Sequence, residues 1–295
     1  MDDAVIKRRT AAIGILMLLV VVAWWPEFAG GKFRLFDSAV CDPKLLCVVF
    51  LDVGQGDAIF VQSPAGVQLL VDTGRDQSVL RGLGDVMDFA DWEINYLLLT
   101  HPDADHIGGA VDILERFLVS QVIRTENESD TALWEATKRQ IEVESAKVTM
   151  ARRGQVFDLG GGVKLEILFP DIDPIEMESN TASIVARLIY GDTAFMLTGD
   201  SPKSIEEYLV LVEGEHLKSD VLKAGHHGSR TSTAELFLAE VDPKYAVISA
   251  GADNSYGHPH VEVTDLLFNY GAETYSTAES GNVVFWSDGN SVTRK

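Results

Sequence analysis

A dense group of metal-binding side chains lies within a strand–loop–helix pattern in the first half of the chain. The apolar run from Ile94 to Leu99 predicts a short buried strand that ends at Thr100. Two histidines and two aspartates follow within six residues: His101, Asp103, Asp105 and His106. Apolar residues then recur at helical spacing from Ile107 to Leu118 and predict a helix. A polar loop with solvated charges is the alternative, but His-x-Asp-x-Asp-His in this setting favours a metal site.

Four other segments combine apolar residues with polar groups next to glycine. In chain order they are Phe50–Ala58, Leu197–Asp200, Leu222–Ser229 and Tyr256–Pro259. Gly225 and Gly228 flank two histidines, and glycine at such places lets the backbone approach a ligand closely. Each segment alone is consistent with an ordinary turn or a structural histidine pair. The order of the last three segments after the His/Asp loop favours one shared site.

The remaining pattern predicts strands in two runs, each interleaved with helices. Strands are predicted at 46–50, 58–62, 67–71, 163–169, 183–190, 193–198, 245–250 and 282–287. Helices are predicted at 202–212, after a capping box at 232–235, and at 261–270, with a surface helix and loops within 125–147. This arrangement suits two packed sheets with helices outside.

Together, these motifs resemble the metallo-β-lactamase superfamily, whose metal-binding loop is usually His-x-His-x-Asp-His. The five segments in this order resemble most specifically the C-terminal hydrolase domain of ComEC-type DNA-uptake proteins, over Leu45 to Trp286. The resemblance implies an α/β fold, a four-layer αββα sandwich, for residues 44–295. It also implies a hydrolase that uses two divalent metal ions.

The resemblance assigns candidate ligands to both ions. The implied metal ligands are His101, Asp103, Asp105, His106, Asp200 and His226. The first two would hold one ion and the next two, with His226, the other, while Asp200 would bridge them. Such a pair of ions activates a water molecule as the nucleophile and stabilises the leaving oxygen.

Supporting residues are assigned in the same way. Residues expected to orient ligands are Asp72, Asn180 and Ser229. Candidates for substrate contact or leaving-group protonation, with no individual roles, are Asp57, Lys223, His227 and His258. Gln55 is expected to face the site.

Two departures from the superfamily pattern affect the first metal site. Asp103 stands where most of the superfamily has a histidine. No histidine occurs between His106 and His216, so the superfamily's third histidine is missing, and Asn180 is a candidate to fill its place. An oxygen-richer ligand set shifts the preference from zinc toward manganese. We therefore expect two divalent ions, manganese or zinc.

The charge of the chain limits the range of substrates. Acidic residues outnumber basic ones by 45 to 24, which gives a net charge of −21. Nucleic-acid binders normally carry a basic surface, so this charge disfavours long DNA. Bound metal ions and a local basic patch would still admit a phosphodiester, DNA included. The leading hypothesis is an extracytoplasmic phosphodiesterase; the alternatives are a hydrolase of another small ester or amide and a non-catalytic metal-binding module.

The N-terminal segment predicts a membrane association. Lys7-Arg8-Arg9 precedes an uncharged apolar run from Ala11 to Trp25. Fifteen helical residues span about 22 Å, less than the roughly 30 Å hydrocarbon core, which suits a signal peptide or a short anchor. Ala29-Gly30-Gly31 is a candidate cleavage site, so both alternatives stay open. Residues 1–10 would stay in the cytoplasm, and the domain after a linker at 26–43 would be membrane-anchored outside or secreted.

The two cysteines, Cys41 and Cys47, leave a second choice open. Outside the cytoplasm they could form a disulfide. Cys47 also fits as a small buried residue of the first strand. With two cysteines in the chain, a four-cysteine zinc ribbon is excluded.

Overall fold

The computed structural model describes residues 40–295. The predicted basic tail, the signal or anchor segment and residues 26–39 of the linker lie outside the described residues. Within residues 40–295, no helix combines the length and apolar character needed to cross a membrane. Cys41 and Cys47 form a disulfide, and Cys47 is also buried in the first strand.

The described chain alternates between strands and short helices. The strands are β1 (Leu46–Phe50), β2 (Ile59–Gln62), β3 (Gln68–Val71), β4 (Glu93–Leu99), β5 (Leu118–Arg124), β6 (Lys147–Met150), β7 (Val156–Asp158), β8 (Val163–Phe169), β9 (Val185–Tyr190), β10 (Thr193–Leu197), β11 (Val221–Lys223), β12 (Tyr245–Ile248), β13 (Glu273–Ser276), β14 (Val283–Ser287) and β15 (Val292–Arg294). The α-helices are α1 (Ser78–Val86), α2 (Ala104–Ile107), α3 (Ala110–Arg116), α4 (Ala132–Glu144), α5 (Lys203–Glu213), α6 (Glu235–Val241), α7 (Val261–Asn269) and α8 (Thr277–Ser280). Short 3-10 helices cover Asn180–Ala182, Gly214–Leu217 and Gly225–Gly228.

The strands form two mixed sheets. The first sheet has eight strands in the order β15-β14-β1-β2-β3-β4-β5-β6, and the second has seven in the order β13-β12-β11-β10-β9-β8-β7. Strands β3 to β6 run parallel to one another, as do strands β10 to β13. The remaining neighbours pair antiparallel.

The burial of β1 explains how the sheets stack. Leu46, Val48 and Phe50 belong to a central apolar cluster that both sheets share. Cys47 and Val49 point the other way, into a cluster with the helices that cover the first sheet. A third cluster joins the second sheet to its own helices. Since β1 is buried on both faces, its continuous apolar run needs no polar alternation. The layers are helix, sheet, sheet and helix, and the predicted αββα sandwich is confirmed.

The helix predicted from Ile107 to Leu118 is wrong as a continuous element. It is divided into α2 and α3, and Leu118 begins strand β5. The Gly108 N–H donates to the carbonyl of Gly74 instead of continuing the helical ladder. A Cβ at Gly108 would lie 1.9 Å from the Arg75 carbonyl oxygen, so the break depends on close backbone packing.

The predicted capping box at Ser232 is also replaced by a tertiary contact. The N-cap of α6 is Ala234, and its side chain caps nothing. The Ser232 hydroxyl donates to the carbonyl of Ser201 instead. Carboxylate oxygens of Glu206 on α5 accept the N–H groups of Thr233 and Ala234 at 3.0 and 2.6 Å. A distant acidic residue thus holds the two residues that immediately precede α6.

The carboxyl ends of the parallel strands in both sheets meet at one edge of the sandwich. Asp72 follows β3, and His101 follows β4 in the first sheet. Asp200 follows β10, and the histidine pair at 226–227 follows β11 in the second sheet. Loops at this edge of open α/β sheets commonly form ligand sites. The motifs found in the sequence are therefore brought together by the topology.

Candidate metal centre

The buried carboxylate of Asp200 lies at the centre of four imidazole rings. The Nε2 atoms of His106 and His227 lie 3.3 and 3.4 Å from its oxygens. The Nε2 atoms of His226 and His101 lie 3.7 and 4.0 Å away. Four histidines from two different sheets therefore direct the same ring atom toward one carboxylate.

Hydrogen bonds to the other ring nitrogen fix the tautomers of the histidines from the first sheet. Nδ1 of His106 lies 2.8 Å from Asp72, which accepts its proton. The Thr100 hydroxyl donates its proton to Asp72 at 2.7 Å and so acts as an acceptor toward Nδ1 of His101 at 3.0 Å, where the Ser183 hydroxyl also lies at 3.2 Å. In both histidines Nε2 is the ring nitrogen that faces Asp200, and it would bind a metal ion in its deprotonated form.

The same arrangement holds the histidine pair from the second sheet. Nδ1 of His227 donates to the carbonyl of Ser249 at 2.9 Å. The Thr231 hydroxyl donates to Ser229, so it accepts the Nδ1 proton of His226 at 3.1 Å. In each of the four rings, a hydrogen bond at Nδ1 therefore orients the imidazole so that Nε2 faces Asp200.

The backbone of the histidine pair is strained. His226 and His227 have φ values of 47° and 55°, in the left-handed region that non-glycine residues rarely adopt. Gly228 follows with a φ of 79°, and a Cβ there would lie 2.7 Å from Pro259. Strain of this kind persists where the surrounding structure holds a functional conformation in place.

Two further carboxylates border the histidines. Asp105 lies 3.4 Å from Nε2 of His227, and Asp103 lies 3.7 Å from Nε2 of His101. The Ser179 hydroxyl donates to Asp103 at 2.6 Å. Burial raises the pKa of Asp103, although the Ser179 hydrogen bond opposes it. Burial also acts against the charge of Asp105, but the neighbouring histidines, chiefly His227, lower its pKa.

A buried ammonium ion offsets part of this negative charge. Lys223 is fully buried, pairs with the carboxylate of Asp57 and donates to the carbonyl of Gly199 at 2.9 Å. Its Nζ lies 3.6 Å from Asp200. Burial by itself lowers the pKa of Lys223, but the carboxylates of Asp57 and Asp200 outweigh it and raise the pKa. Burial likewise opposes the charge of Asp57, and Lys223 is the main cause that lowers its pKa to about 2.

The buried polar atoms of this cluster fit a metal ion. Asp57, His106, Asp200 and His227 each offer a ligand atom, and these atoms lie within 4.8 Å of one another. Buried atoms there without a hydrogen-bond partner are Nε2 of His101, His106 and His227 and one oxygen each of Asp57 and Asp200. Leaving such atoms unpaired is costly, and a bound cation would satisfy them together. Of these four residues, Asp57 is the least available as a metal ligand, because its carboxylate already pairs with Lys223.

Comparison with known proteins identifies the family to which this fold belongs. Residues 51–252, more than half of the chain, match the family described as the metallo-beta-lactamase superfamily. The chain belongs to this superfamily. The solved structure of the metallo-beta-lactamase fold protein YhfI from Bacillus subtilis superposes with a TM-score of 0.52 at 14% identity, covering 78% of this chain and 96% of YhfI. CmlA, a diiron beta-hydroxylase from Streptomyces venezuelae, gives 0.54 at 16% identity, covering 86% and 55%.

Competence proteins are among the relatives of this superfamily member. ComE operon protein 3 of Bacillus subtilis is 32% identical over 260 residues, and competence protein ComA of Neisseria gonorrhoeae is 33% identical over 239 residues. Each alignment covers 81% of this chain and 32% of the relative. The chain thus spans about a third of the length of these relatives. The resemblance to competence proteins seen in the motifs is confirmed as sequence similarity.

The electrostatics separate the four histidines around Asp200. Burial alone would lower the pKa of His106 and of His227, but nearby carboxylates, chiefly Asp200, raise both well above the usual value. Burial and the charge on His106 lower the pKa of His101 to about 3. Burial is also the main cause that lowers the pKa of His226. Protons and metal ions therefore compete most directly at His106 and His227.

The remaining predicted residues lie around the cluster. Asn180 follows Ser179, and its buried Oδ1 has no hydrogen-bond partner. The ring of His258 lies 5.6 Å from that of His226, and burial followed by the neighbouring histidines lowers the pKa of His258 to about 4. Gln55 faces Gly251, whose N–H it accepts at 3.3 Å, rather than the four histidines.

The groups that accept the Nδ1 protons of the histidines are difficult to predict from the sequence. Thr100 and Thr231 each accept an Nδ1 proton, and the carbonyl of Ser249 accepts another. Thr100 adjoins the motif, so a hydroxyl at the end of a strand was a usable signal. A backbone acceptor at Ser249, 22 positions from its histidine, leaves no signal in the side-chain pattern.

Proposed function

We propose that this protein is a metal-dependent phosphodiesterase with nucleic acid as its substrate. The observation that carries the proposal is the convergence of four oriented Nε2 atoms on the carboxylate of Asp200. A binding module has no need of so complete a ligand set held from behind by hydrogen bonds. Such a set supports catalysis rather than simple recognition.

The distances support a specific division of the ligands. His227, with its Nε2 3.4 Å from both Asp105 and Asp200, pairs best with the second ion, beside Asp105 and His106. The sequence motifs alone give that place to His226. We assign His226 instead to the first ion with His101 and Asp103.

This division addresses the missing third histidine of the superfamily. The Nε2 of His226 approaches Asp200 from the more exposed side, with 26% of its side chain accessible. Its contribution would supply the first ion with a second nitrogen. Asn180, whose buried oxygen has no hydrogen-bond partner, adjoins the Ser179 that contacts Asp103 and is the candidate for an additional donor. Asp200 would lie between the two positions as the shared ligand.

When bound, two divalent cations would lower the pKa of a water molecule and offset the charge that develops on the phosphoryl group. The protein's own residues prepare this site. Lys223 and Asp57 are too deeply buried to reach a substrate, so we assign them positioning roles: their pairing holds the floor of the cluster. His258 is neutral at pH 7 because its pKa is lowered to about 4, which suits a hydrogen-bond contact to substrate rather than proton donation as an imidazolium.

Nucleic acid is favoured over other esters by the relatives. Two of them are competence proteins by name, at 32% and 33% identity. Manganese is the metal we favour, since carboxylates make up a large share of the ligands. A hydrolase of another small ester or amide remains the competing proposal.

We also propose that the domain works outside the cytoplasm. Lys7-Arg8-Arg9 before the apolar segment favours that orientation, and the disulfide between Cys41 and Cys47 is typical of oxidising compartments. A reporter fused to the C-terminus should be active only in a form that requires export. Activity of a reporter that works only in the cytoplasm would overturn this orientation.

The test of the activity combines metal analysis with hydrolysis assays. The purified protein is loaded with manganese, zinc or magnesium and incubated with single-stranded DNA, double-stranded DNA and a small chromogenic phosphodiester. We expect metal-dependent cleavage of DNA with little sequence preference, because phosphate contacts carry no base information. Turnover of the small ester with both DNA forms intact would favour the competing hydrolase. No reaction with any metal would favour a binding module.

A further inference from the structure

We propose that an open cavity beside the metal centre is a nucleotide subsite, which makes single-stranded nucleic acid the preferred substrate. This proposal rests on the phosphodiesterase activity proposed above. The cavity has a volume of about 840 Å³, within the range of small-molecule sites. Its walls come from the segments 52–55, 75–81 and 251–256.

These segments continue directly into the metal centre. Asp57 follows the first of them, and its N–H donates to the carbonyl of Asp105 at 3.2 Å. A Cβ at Gly56 would lie 2.1 Å from the same carbonyl oxygen, so the loop and the ligand segment are in contact. The third segment leads to His258, whose ring lies 5.6 Å from that of His226. A chain bound at the metal centre would therefore extend into the cavity.

Two guanidinium groups line the cavity. Arg75 and Arg81 are exposed, and no carboxylate of residues 40–295 forms an ion pair with either of them within 4.0 Å. Three acids, Asp52, Asp76 and Asp253, also line the cavity. Oxygens of Asp52 and Asp76 accept backbone N–H groups, from Gly54 at 3.2 Å and Ser78 at 2.8 Å. Guanidinium groups suit phosphate oxygens through paired hydrogen bonds, so the two arginines offer phosphate contacts within a lining that is otherwise acidic.

An exposed aromatic ring completes the subsite. Tyr256 is 56% exposed and stacks on His258, with ring centroids 5.7 Å apart and an interplanar angle of 22°. Stacking of bases on such rings is a general mode of single-strand binding that tolerates any sequence. A base paired in a duplex presents no free face. Tyr256 would therefore select an unpaired base while the arginines contact the neighbouring phosphate.

The first experiment measures binding without cleavage. A fluorescein-labelled octathymidylate is titrated by anisotropy without added metal, with every variant built in an Asp200→Asn background, so that hydrolysis is prevented and the contribution of the cavity is measured by itself. We expect Arg75→Ala/Arg81→Ala to weaken binding at least tenfold. We also expect the salt dependence of binding to become shallower, by about 0.7 in log–log slope for each phosphate that the double variant no longer neutralises.

The aromatic platform is tested in the same background. Tyr256→Ala should weaken oligonucleotide binding severalfold, and Tyr256→Phe should restore it because the ring is kept. Arg139→Ala on α4 and Phe268→Ala on α7 are matched controls, since both residues are exposed and neither lines the cavity. Variants of the three cavity residues that bind the oligonucleotide as the controls do would overturn the subsite.

A second experiment separates this proposal from the activity. Cleavage of the oligonucleotide is measured in the background with Asp200 intact. Binding that depends on the three cavity residues, without cleavage by the intact protein, would support the subsite and count against the phosphodiesterase. Cleavage whose KM is unchanged in the cavity variants would overturn the subsite and leave the phosphodiesterase standing.

Discussion

The metal centre has a buried inner group and a partly exposed outer group, and the two differ in how they are held. The inner group consists of Asp57, Asp72, His106, Lys223 and His227, each exposed by no more than 1%. The outer group consists of Asp103, Asp105, His226 and His258, all partly accessible. Inner residues contact one another through opposite charges. In the outer group, Asp103 and His226 are each held by one hydroxyl group, Asp105 lies against His227, and His258 lies beside His226.

The contrast also follows the departures from the superfamily. Asp103 and the missing third histidine both affect the outer group, while the inner group keeps its aspartate–histidine pair. Buried charges need partners, and replacing one member of such a set leaves the others uncompensated. The outer residues face no such constraint, so the metal position they form can vary more between relatives. We expect the inner group to determine metal affinity and the outer group to adjust it.

Asp200 joins the two groups, so its variant should have the largest effect. Asp200→Asn removes the shared negative charge, and both metal content and hydrolysis should fall by orders of magnitude. Metal analysis and the chromogenic assay measure both. Asp192→Asn, an exposed aspartate in the β9–β10 turn, is the matched control. Unchanged metal content in Asp200→Asn would remove Asp200 from the site.

Glu206 supports the segment that carries the histidine pair, and its variant tests that support through pH. Burial raises the pKa of Glu206 to about 7, although the hydrogen bonds from the N–H groups of Thr233 and Ala234 act to lower it. The unfolded carboxyl loses its proton near pH 4.5, whereas the folded one retains it up to about pH 7. The free energy of unfolding should therefore fall as the pH rises from 4.5 to 7, by on the order of 3 kcal/mol.

Glu206→Gln stays neutral and should lack this part of the pH dependence. Urea unfolding at pH 5 and pH 8 gives the change in the free energy of unfolding for each protein. A chelator is present in both so that bound metal does not contribute. The variant should lose less stability than the wild-type protein between these values. Parallel losses in the two proteins would show that Glu206 is ionised throughout the range.

An Asp72 variant tests the inner group without replacing a candidate metal ligand. The Asp72 carboxylate accepts hydrogen bonds from the backbone N–H and the hydroxyl of Thr100 and from Nδ1 of His106, at 2.7 to 2.8 Å. Asp72→Asn weakens the orientation of His106, and manganese affinity should fall by about 10- to 100-fold. Calorimetric titration of manganese checks this value. Affinity within twofold of wild type would show that His106 is oriented by other contacts.

The neighbouring histidines give the sharpest comparison of inner and outer groups, with the smallest expected difference. His227→Ala should reduce manganese affinity about tenfold more than His226→Ala, because His227 is buried and contacts Asp57, Asp105 and Asp200. Equilibrium dialysis should show that His226→Ala retains one tightly bound ion. A larger loss in His226→Ala would reverse the assignment of the two groups.

Central strands were predictable from the sequence, and the edges of the sheets were not. The predicted strands are present to within two residues, because the continuous apolar run Leu46–Phe50 and the alternating pattern of Val163–Phe169 each record burial directly. Four of the unpredicted strands, β6, β7, β13 and β15, are the edge strands of the two sheets. Edge strands are short and partly exposed, so they carry little hydrophobic pattern. Two central strands were also missed: β5 because Leu118 fitted the helical spacing of the preceding segment, and β11 because its three residues are too few to show a pattern.

The site divides in a similar way. Histidine and aspartate, which commonly bind metals, can be recognised in the sequence by residue type. The order of the motifs predicted that His101, His106 and Asp200 are neighbours, and the structure places them together. The second contacts of those residues come from positions far apart in the chain, as when Ser249 holds His227. Which of two adjacent histidines faces a given carboxylate depends on their left-handed backbone, and sequence spacing does not contain that information.

The central claim is that the Nε2 atoms around Asp200 hold metal ions, and anomalous diffraction tests it most directly. Crystals of the protein grown with manganese are measured on both sides of the manganese absorption edge. We expect one strong anomalous peak between Asp105, His106, His227 and Asp200, and a second, weaker peak between Asp200 and the pair His101 and His226. Strong peaks elsewhere, or none between these side chains at saturating manganese, would contradict it.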